Sequence, residues 1–120
     1  GNGTRGTGGD GGPATLAQLD RPVDVAIDPI DGGVVIADTE NNCIRKVKDG
    51  VIETIAGSCN PCRNRTDYAC TCYAFEPACV KDGVPATQAL LKRPFGIGFD
   101  RAGNLYIADS LHHRVRVVYR

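Results

Sequence analysis

DGGPATLAQLDRP, at Asp10–Pro22, returns as DGVPATQALLKRP at Asp82–Pro94. Asp10, Pro13 and Pro22 meet Asp82, Pro85 and Pro94 at a constant offset of 72 residues. The correspondence runs on in both directions along the chain. VDVAIDP at Val23–Pro29 answers FGIGFDR at Phe95–Arg101, and GVVIADTENNCIRKV at Gly33–Val47 answers NLYIADSLHHRVRVV at Asn104–Val118. One residue is lost in the turn between these blocks, so Asp38 pairs with Asp109 at an offset of 71. Self-similarity at a fixed period is the mark of a repeat architecture, in which one unit cannot bury its apolar face alone.

Each unit breaks into short apolar or alternating runs separated by turn residues. In the first unit these are Val23–Asp28, Val34–Ala37, Ile44–Val47 and Val51–Ala56. In the second they are Phe95–Phe99, Leu105–Ala108 and Val115–Tyr119. Their length and their Val, Ile, Phe and Tyr content predict strands. Asp31-Gly32-Gly33, Ala102-Gly103-Asn104 and Asp49-Gly50 supply hairpin turns between them. A single helical turn is expected at Ala14–Leu19 and again at Ala86–Leu91, each opened by the proline of PAT, which suits a first helical position.

Four antiparallel strands per unit is the pattern of a propeller blade. The motif GDGGPAT at Gly9–Thr15 with Leu19 and Pro22, GNLYIAD at Gly103–Asp109 and NCIRKV at Asn42–Val47 resemble NHL repeats. The resemblance covers the chain outside its cysteine-rich window. It implies an all-β fold: two antiparallel blades of an NHL-type β-propeller, with the second blade lacking its outermost strand. The units are then a first repeat over 1–57, a cysteine-rich insertion over 58–81 and a second, incomplete repeat over 82–120. Cys43 stands where the family has a basic residue, as Arg114 does in the second unit. Family members close with six blades, so two blades must find partners. The chain does not open with Met and ends inside or just after a third strand, which reads as a mature, excised or partial segment. An edge strand left open there would accept a further strand from a copy of the chain or from neighbouring repeats. Head-to-tail contacts of this kind give a ring or a filament. Val117 and Tyr119 are the interface candidates on that edge.

Composition narrows the partners. The 120 residues carry 14 basic and 14 acidic side chains, a formal net charge of zero. Phosphate binding needs a basic surplus, so nucleic acid is not expected as a partner. No apolar run reaches the roughly 18–20 residues needed to span a bilayer as a helix, so membrane insertion is not expected either.

Six cysteines are present: Cys43, Cys59, Cys62, Cys70, Cys72 and Cys79. An even count at this density, beside the sequons Asn2-Gly3-Thr4 and Asn64-Arg65-Thr66, favours disulfides, N-glycans at Asn2 and Asn64, and a secreted or surface location. Five of the cysteines lie in the window, so one bond leaves it, and Cys43 is the available mate; the pairing stays open among 15 connectivities. Two other readings stand beside this one. Cys59-x-x-Cys62 has zinc-ligand spacing, but Cys70-x-Cys72 is too tight for the usual second pair. A redox CxxC would need a helix N-terminus to acidify its thiol, and none is expected beside Pro61. Tyr68, Tyr73 and Phe75 either fill the core of the stapled insertion or present a contact face to a ligand or subunit.

The remaining polar residues read as structural. Asp38 and Asp109 recur in both units and are expected to bond backbone amides in the turn that follows. Asp28 and Asp100 are expected in turns too. His112 and His113 replace Asn41 and Asn42 and read as solvent-exposed turn residues. Arg45, Lys46, Arg114 and Arg116 read as a solvated face or as partners of nearby acids. The loop Asp10-Gly11-Gly12 lacks the Lys and Ser/Thr of a phosphate loop. No catalytic residue, metal ligand or cofactor site is expected. The leading functional reading is an extracellular structural module that packs blades with copies of itself or neighbouring repeats. The alternative is a ligand- or protein-binding segment of a receptor-like ectodomain, which resembles the extracellular NHL propellers of teneurin-like proteins. An enzyme of the related six-bladed type would need inward carboxylates or histidines converging from several blades.

Overall fold

In the computed structural model, residues 1–59 and 82–120 are described. The first unit is a four-stranded antiparallel meander of β1 (Asp24–Ile27), β2 (Val34–Asp38), β3 (Cys43–Lys48) and β4 (Val51–Ala56). The second is a three-stranded meander of β5 (Pro94–Phe99), β6 (Leu105–Asp109) and β7 (Arg114–Val118). The expected strands are all present, and the second sheet has no fourth strand among the described residues. Short hydrogen-bonded turns fix the registers. Asp49 and Gly50 both take positive φ, 50° and 79°, the requirement of a two-residue type I′ hairpin, and join β3 to β4. Gly57, at φ 79°, ends the first blade. A Cβ there would stand 2.5 Å from the Asn42 carbonyl oxygen, so only glycine lets the chain pass so close to the start of β3.

The helical turns are short 3-10 turns at Ala14–Leu16 and Ala86–Gln88. Pro13 and Pro85 stand just before them as caps rather than as their first residue. Two further 3-10 turns link the second and third strands of each blade, at Thr39–Asn41 and Ser110–His112. Each ends on a left-handed residue, Asn42 and His113, both at φ 56°.

Strand alternation gives each sheet two faces. On one face of the first sheet lie Val25, Ile27, Val34, Ile36 and Val47, in register across β1, β2 and β3. On the other lie Ala26, Val35, Ala37 and Ile44. The second of these faces meets the second blade. Val35, Ala37, Ile44 and Ala56 form one buried cluster with Leu91, Leu105 and Ile107, and Ile97, Phe99 and Val118 pack against it. A smaller cluster of Ala17, Ile36 and Ile52 seats the link segment on the far face of the first blade.

Polar contacts tie the two blades together around this core. The Ile97 amide donates to Asp24 Oδ2 at 2.9 Å, and the Arg93 amide donates to Asn42 Oδ1 at 2.8 Å. Thr39 Oγ1 donates to the Pro94 carbonyl at 2.7 Å. Asp28, in the turn after β1, accepts from Arg120 Nη1 at 2.9 and 2.7 Å, from Lys46 Nζ at 2.7 Å and from the Ile30 amide at 2.9 Å. Burial alone would raise the Asp28 carboxyl, but the hydrogen bonds from Arg120 and Lys46 outweigh it and hold it far below the usual carboxylate range. Asp100 serves its own turn, accepting from the Asn104 amide at 2.9 Å. Cys43, at the head of β3, is bonded to Cys59, just past β4, with Cα atoms 4.8 Å apart. This bond joins the edge of the insertion to the third strand of its own blade.

Candidate interaction surfaces

Each blade is built around a buried charge cluster that the repeat copies. In the first, Arg45 has a fully buried side chain. It donates to Asp10 Oδ1 through Nε at 3.1 Å and Nη2 at 2.7 Å, to the Gln18 carbonyl at 2.5 Å and to Asp38 Oδ2 at 3.4 Å. Asp38 Oδ2 also accepts from Asn41 Nδ2 at 2.8 Å, and Asp38 Oδ1 from the Asp20 amide at 2.8 Å. Burial raises the Asp38 carboxyl above its ordinary value, against the lowering pull of Asn41, the Asp20 amide and Arg45. In the second blade, Arg116 bonds Asp82 at 2.7 Å, Asp109 at 3.0 Å and the Leu90 carbonyl at 2.9 Å. Asp109 accepts from the Lys92 amide at 2.7 Å and pairs with His112 Nδ1 at 2.8 Å.

Two sequence expectations are corrected here. His112 is not an exposed turn residue: it is 1% exposed and folded onto Asp109, while His113 alone faces outward. In a 3-10 turn residues three apart eclipse, which stacks His112 over Asp109 and Asn41 over Asp38. Asp38 and Asp109 do bond backbone amides, but those of Asp20 and Lys92 in the link before the first strand, not those of the turn that follows. Of the two readings of Arg45 and Arg116, pairing with nearby acids is the one found, inside the blade. The recurring spacing Asp-x-x-Asn/His-x-x-x-Arg, at Asp38-Asn41-Arg45 and Asp109-His112-Arg116, was the signal available in the sequence. Among the described residues, no three of His, Cys, Asp and Glu gather to hold a metal ion.

Beside these inward charges, the far face of each blade exposes apolar residues. The far face of the first blade exposes Val25 by 61% and Ile27 by 59%, with Val23 and Val34 beside them. The far face of the second blade carries Tyr106, Ala108, Val115 and Val117 in register across β6 and β7. Val115 is 69% exposed and Tyr119, past the end of β7, 79%. Of the expected interface residues, Val117 and Tyr119 are thus on β7 and just beyond it. Sequence reasoning missed Val25, Ile27, Tyr106 and Val115. Tyr68, Tyr73 and Phe75 lie outside the described residues, as do Asn64 and the cysteines Cys62, Cys70, Cys72 and Cys79. Asn2 is exposed, and its Oδ1 accepts from the Thr4 amide at 2.8 Å.

Residues 19–47 match the family model of the NHL repeat. Teneurin-4 of Mus musculus is 31% identical over 94 residues, 72% of this chain and 3% of the mouse protein. Teneurin-1 of Caenorhabditis elegans is 30% identical over 109 residues, 86% of this chain and 4% of the worm protein. The chain therefore spans only a few hundredths of the length of these relatives. A crystal structure from Bacteroides thetaiotaomicron, of a protein provisionally named a phosphatase, superposes with a TM-score of 0.66 at 20% identity, over 97% of this chain and 24% of that one. An auxiliary nutrient binding protein from Bacteroides ovatus superposes with a TM-score of 0.63 at 24% identity, over 95% of this chain and 26% of that one. At such identities these structures speak for the fold alone.

Proposed function

We propose, for a chain that belongs to the NHL-repeat family, that it is an extracellular structural module that packs blade upon blade with copies of itself or with neighbouring repeats. One observation carries this reading. The two free faces are the two halves of an interface that the chain already makes once. Val25, Ile27 and Val34 correspond through the repeat to Ile97, Phe99 and Leu105, which pack on the first blade. Tyr106, Ala108 and Val115 correspond to Val35, Ala37 and Ile44, which receive them. A second blade-to-blade contact of the same kind therefore brings an exposed aliphatic face onto an exposed face built to the same plan. Head-to-tail repetition of one such contact gives a ring or a filament, according to whether the rotation closes. The Cys43–Cys59 bond and the two sequons support an oxidising, extracellular setting. The test is charge placed on one face. Val115→Asp should abolish self-association while leaving the unfolding midpoint within experimental error, because Val115 is exposed in the isolated chain. Association that survives both Val115→Asp and Val25→Asp would count against the reading.

A second reading is a binding segment of a receptor-like ectodomain, and the similarity to teneurins favours it specifically. It predicts that the chain recognises a partner other than itself through the same faces.

A further inference from the structure

One corner of the first blade sets the sequon Asn2-Gly3-Thr4 beside an apolar side chain left in water. The sequon runs along the 3-10 turn at Ala14–Leu16. The Gly1 nitrogen donates to the Ala14 carbonyl at 3.0 Å and the Asn2 amide to the Ala17 carbonyl at 2.8 Å. These bonds bring Asn2 Nδ2 to 3.5 Å from the Leu16 carbonyl oxygen. The other end of the Asn2 amide is fixed as well: Oδ1 accepts from the Thr4 amide at 2.8 Å, across Gly3 at φ 83°. A Cβ on Gly3 would meet nothing within 4 Å, so the chain here stands clear of the blade. Asn2, Gly3 and Thr4 are exposed, and Leu16 is 69% exposed.

The repeat shows that this exposure is not owed to an absent neighbour. Gly57 and Ser58 hold beside the second link the place that Gly1 and Asn2 hold beside the first: the Gly57 amide donates to the Ala86 carbonyl at 2.9 Å, as Gly1 does to Ala14. The first blade is packed against that second link, and Ser58 and Gln88, the counterparts of Asn2 and Leu16, are still exposed. The corner therefore faces solvent even with a blade beside it, and the polar Gln88 suits it. A lone exposed leucine needs no explanation by itself; what singles out Leu16 is the acceptor nitrogen held next to its own carbonyl.

We propose that Asn2 carries an N-linked glycan whose first sugar lies over Leu16. In its formation the Asn2 amide nitrogen bonds to C1 of an oligosaccharide borne on a polyprenyl diphosphate. The C1–O bond breaks, the diphosphate leaves with the electron pair, and the nitrogen gives up one proton. The hydrogen that stays on Nδ2 still serves the Leu16 carbonyl, so the sugar extends from this turn. A sugar ring presents C–H groups on its faces and hydroxyls around its edge, so it takes aliphatic surface out of water while its own polar groups stay wet. A bulky, solubilising group here also keeps this corner in solvent in any assembly of blades. An extracellular setting is presupposed, but blade packing is not: the site is read by occupancy and packing by self-association, so either can fail alone.

The test is to express the chain behind a secretion signal in a eukaryotic cell line and to map the oxidised product by intact mass and peptide mass. A glycan is expected on the peptide that contains Asn2, and it should be lost in Thr4→Val, which keeps Asn2 but not the sequon. Nuclear Overhauser contacts between the Leu16 methyl protons and the first sugar are expected in the unaltered chain. A bare Asn2 in the recovered chain would overturn the proposal. So would a glycosylated Asn2 whose first sugar shows no contact with Leu16. Both results are read without a variant, so neither depends on how a substituted chain folds.

Discussion

Replacing Arg45 by Ala tests whether the buried charge cluster holds the blade together. The guanidinium is fully buried and contacts Asp10, Asp38 and the Gln18 and Gly8 carbonyls. Its loss leaves the Asp38 carboxylate, whose side chain is also fully buried, with only the Asn41 amide and the Asp20 amide as partners. Breaking a buried ion pair from one side costs about 3–5 kcal/mol, a large share of the roughly 5–15 kcal/mol that holds a domain folded. In urea, with an m-value near 2 kcal/mol per molar, the unfolding midpoint of the oxidised chain should fall by on the order of 2 M. The loss has a defined pH dependence. Burial already raises the folded-state Asp38 carboxyl, and removing Arg45 raises it further. A raised carboxyl binds its proton more readily in the folded state, so its contribution is most favourable below the ordinary value of about 3.9 and is lost as pH rises through the folded value. The gap between parent and variant should therefore be widest at neutral pH and narrow as pH falls towards about 4. Urea titrations by circular dichroism at both pH values measure it. A loss under about 1 kcal/mol, or one that widens on acidification, would refute the reasoning.

Other consequences can be measured on the same material. Cys43→Ala removes the bond that closes a segment with a sequence separation of 16, and thermal unfolding should show a loss of about 3 kcal/mol by the loop-entropy argument. Asp28→Asn should destabilise the blade–blade contact by about 2 kcal/mol at neutral pH. The Asp28 carboxyl is lowered in the folded state, so its contribution is complete above the ordinary carboxylate value and is lost as pH falls through the lowered one; the difference between parent and variant should shrink below about pH 4. His112→Asn should cost less than about 1 kcal/mol, because Asn41 makes the corresponding bond in the first blade, whereas His112→Ala should cost about 2–3 kcal/mol by removing one of the three partners of the buried Asp109 and emptying the space of a buried ring. Equal losses for the two His112 variants in chemical denaturation would contradict that assignment.

Much of the fold was legible because the repeat is long and the turns are chemically explicit. Asp49-Gly50 specifies its hairpin alone, and the match of Asp10–Pro22 to Asp82–Pro94 places both links before any strand is assigned. The burial of charge was harder to read. Arg45 stands in an alternating strand, where a charged position usually faces water; only the link folding back over that face, through Gln18 and Asp10, encloses it. The same enclosure hides His112, since adjacent residues of a turn look alike in sequence while one caps a 3-10 turn from inside and the next takes the left-handed conformation. The free faces were legible in principle. Val23, Val25 and Ile27 alternate with Asp24, Ala26 and Asp28, but their exposure follows from how the two blades sit, which composition does not encode.

The most direct test of blade-on-blade packing is the native mass of the non-reduced chain, by sedimentation over a range of concentrations. The account predicts concentration-dependent association into multiples of the 12.7 kDa chain, as a discrete closed set or an open series, lost on Val115→Asp. A single monomeric species throughout the micromolar range, unchanged by that substitution, would contradict it.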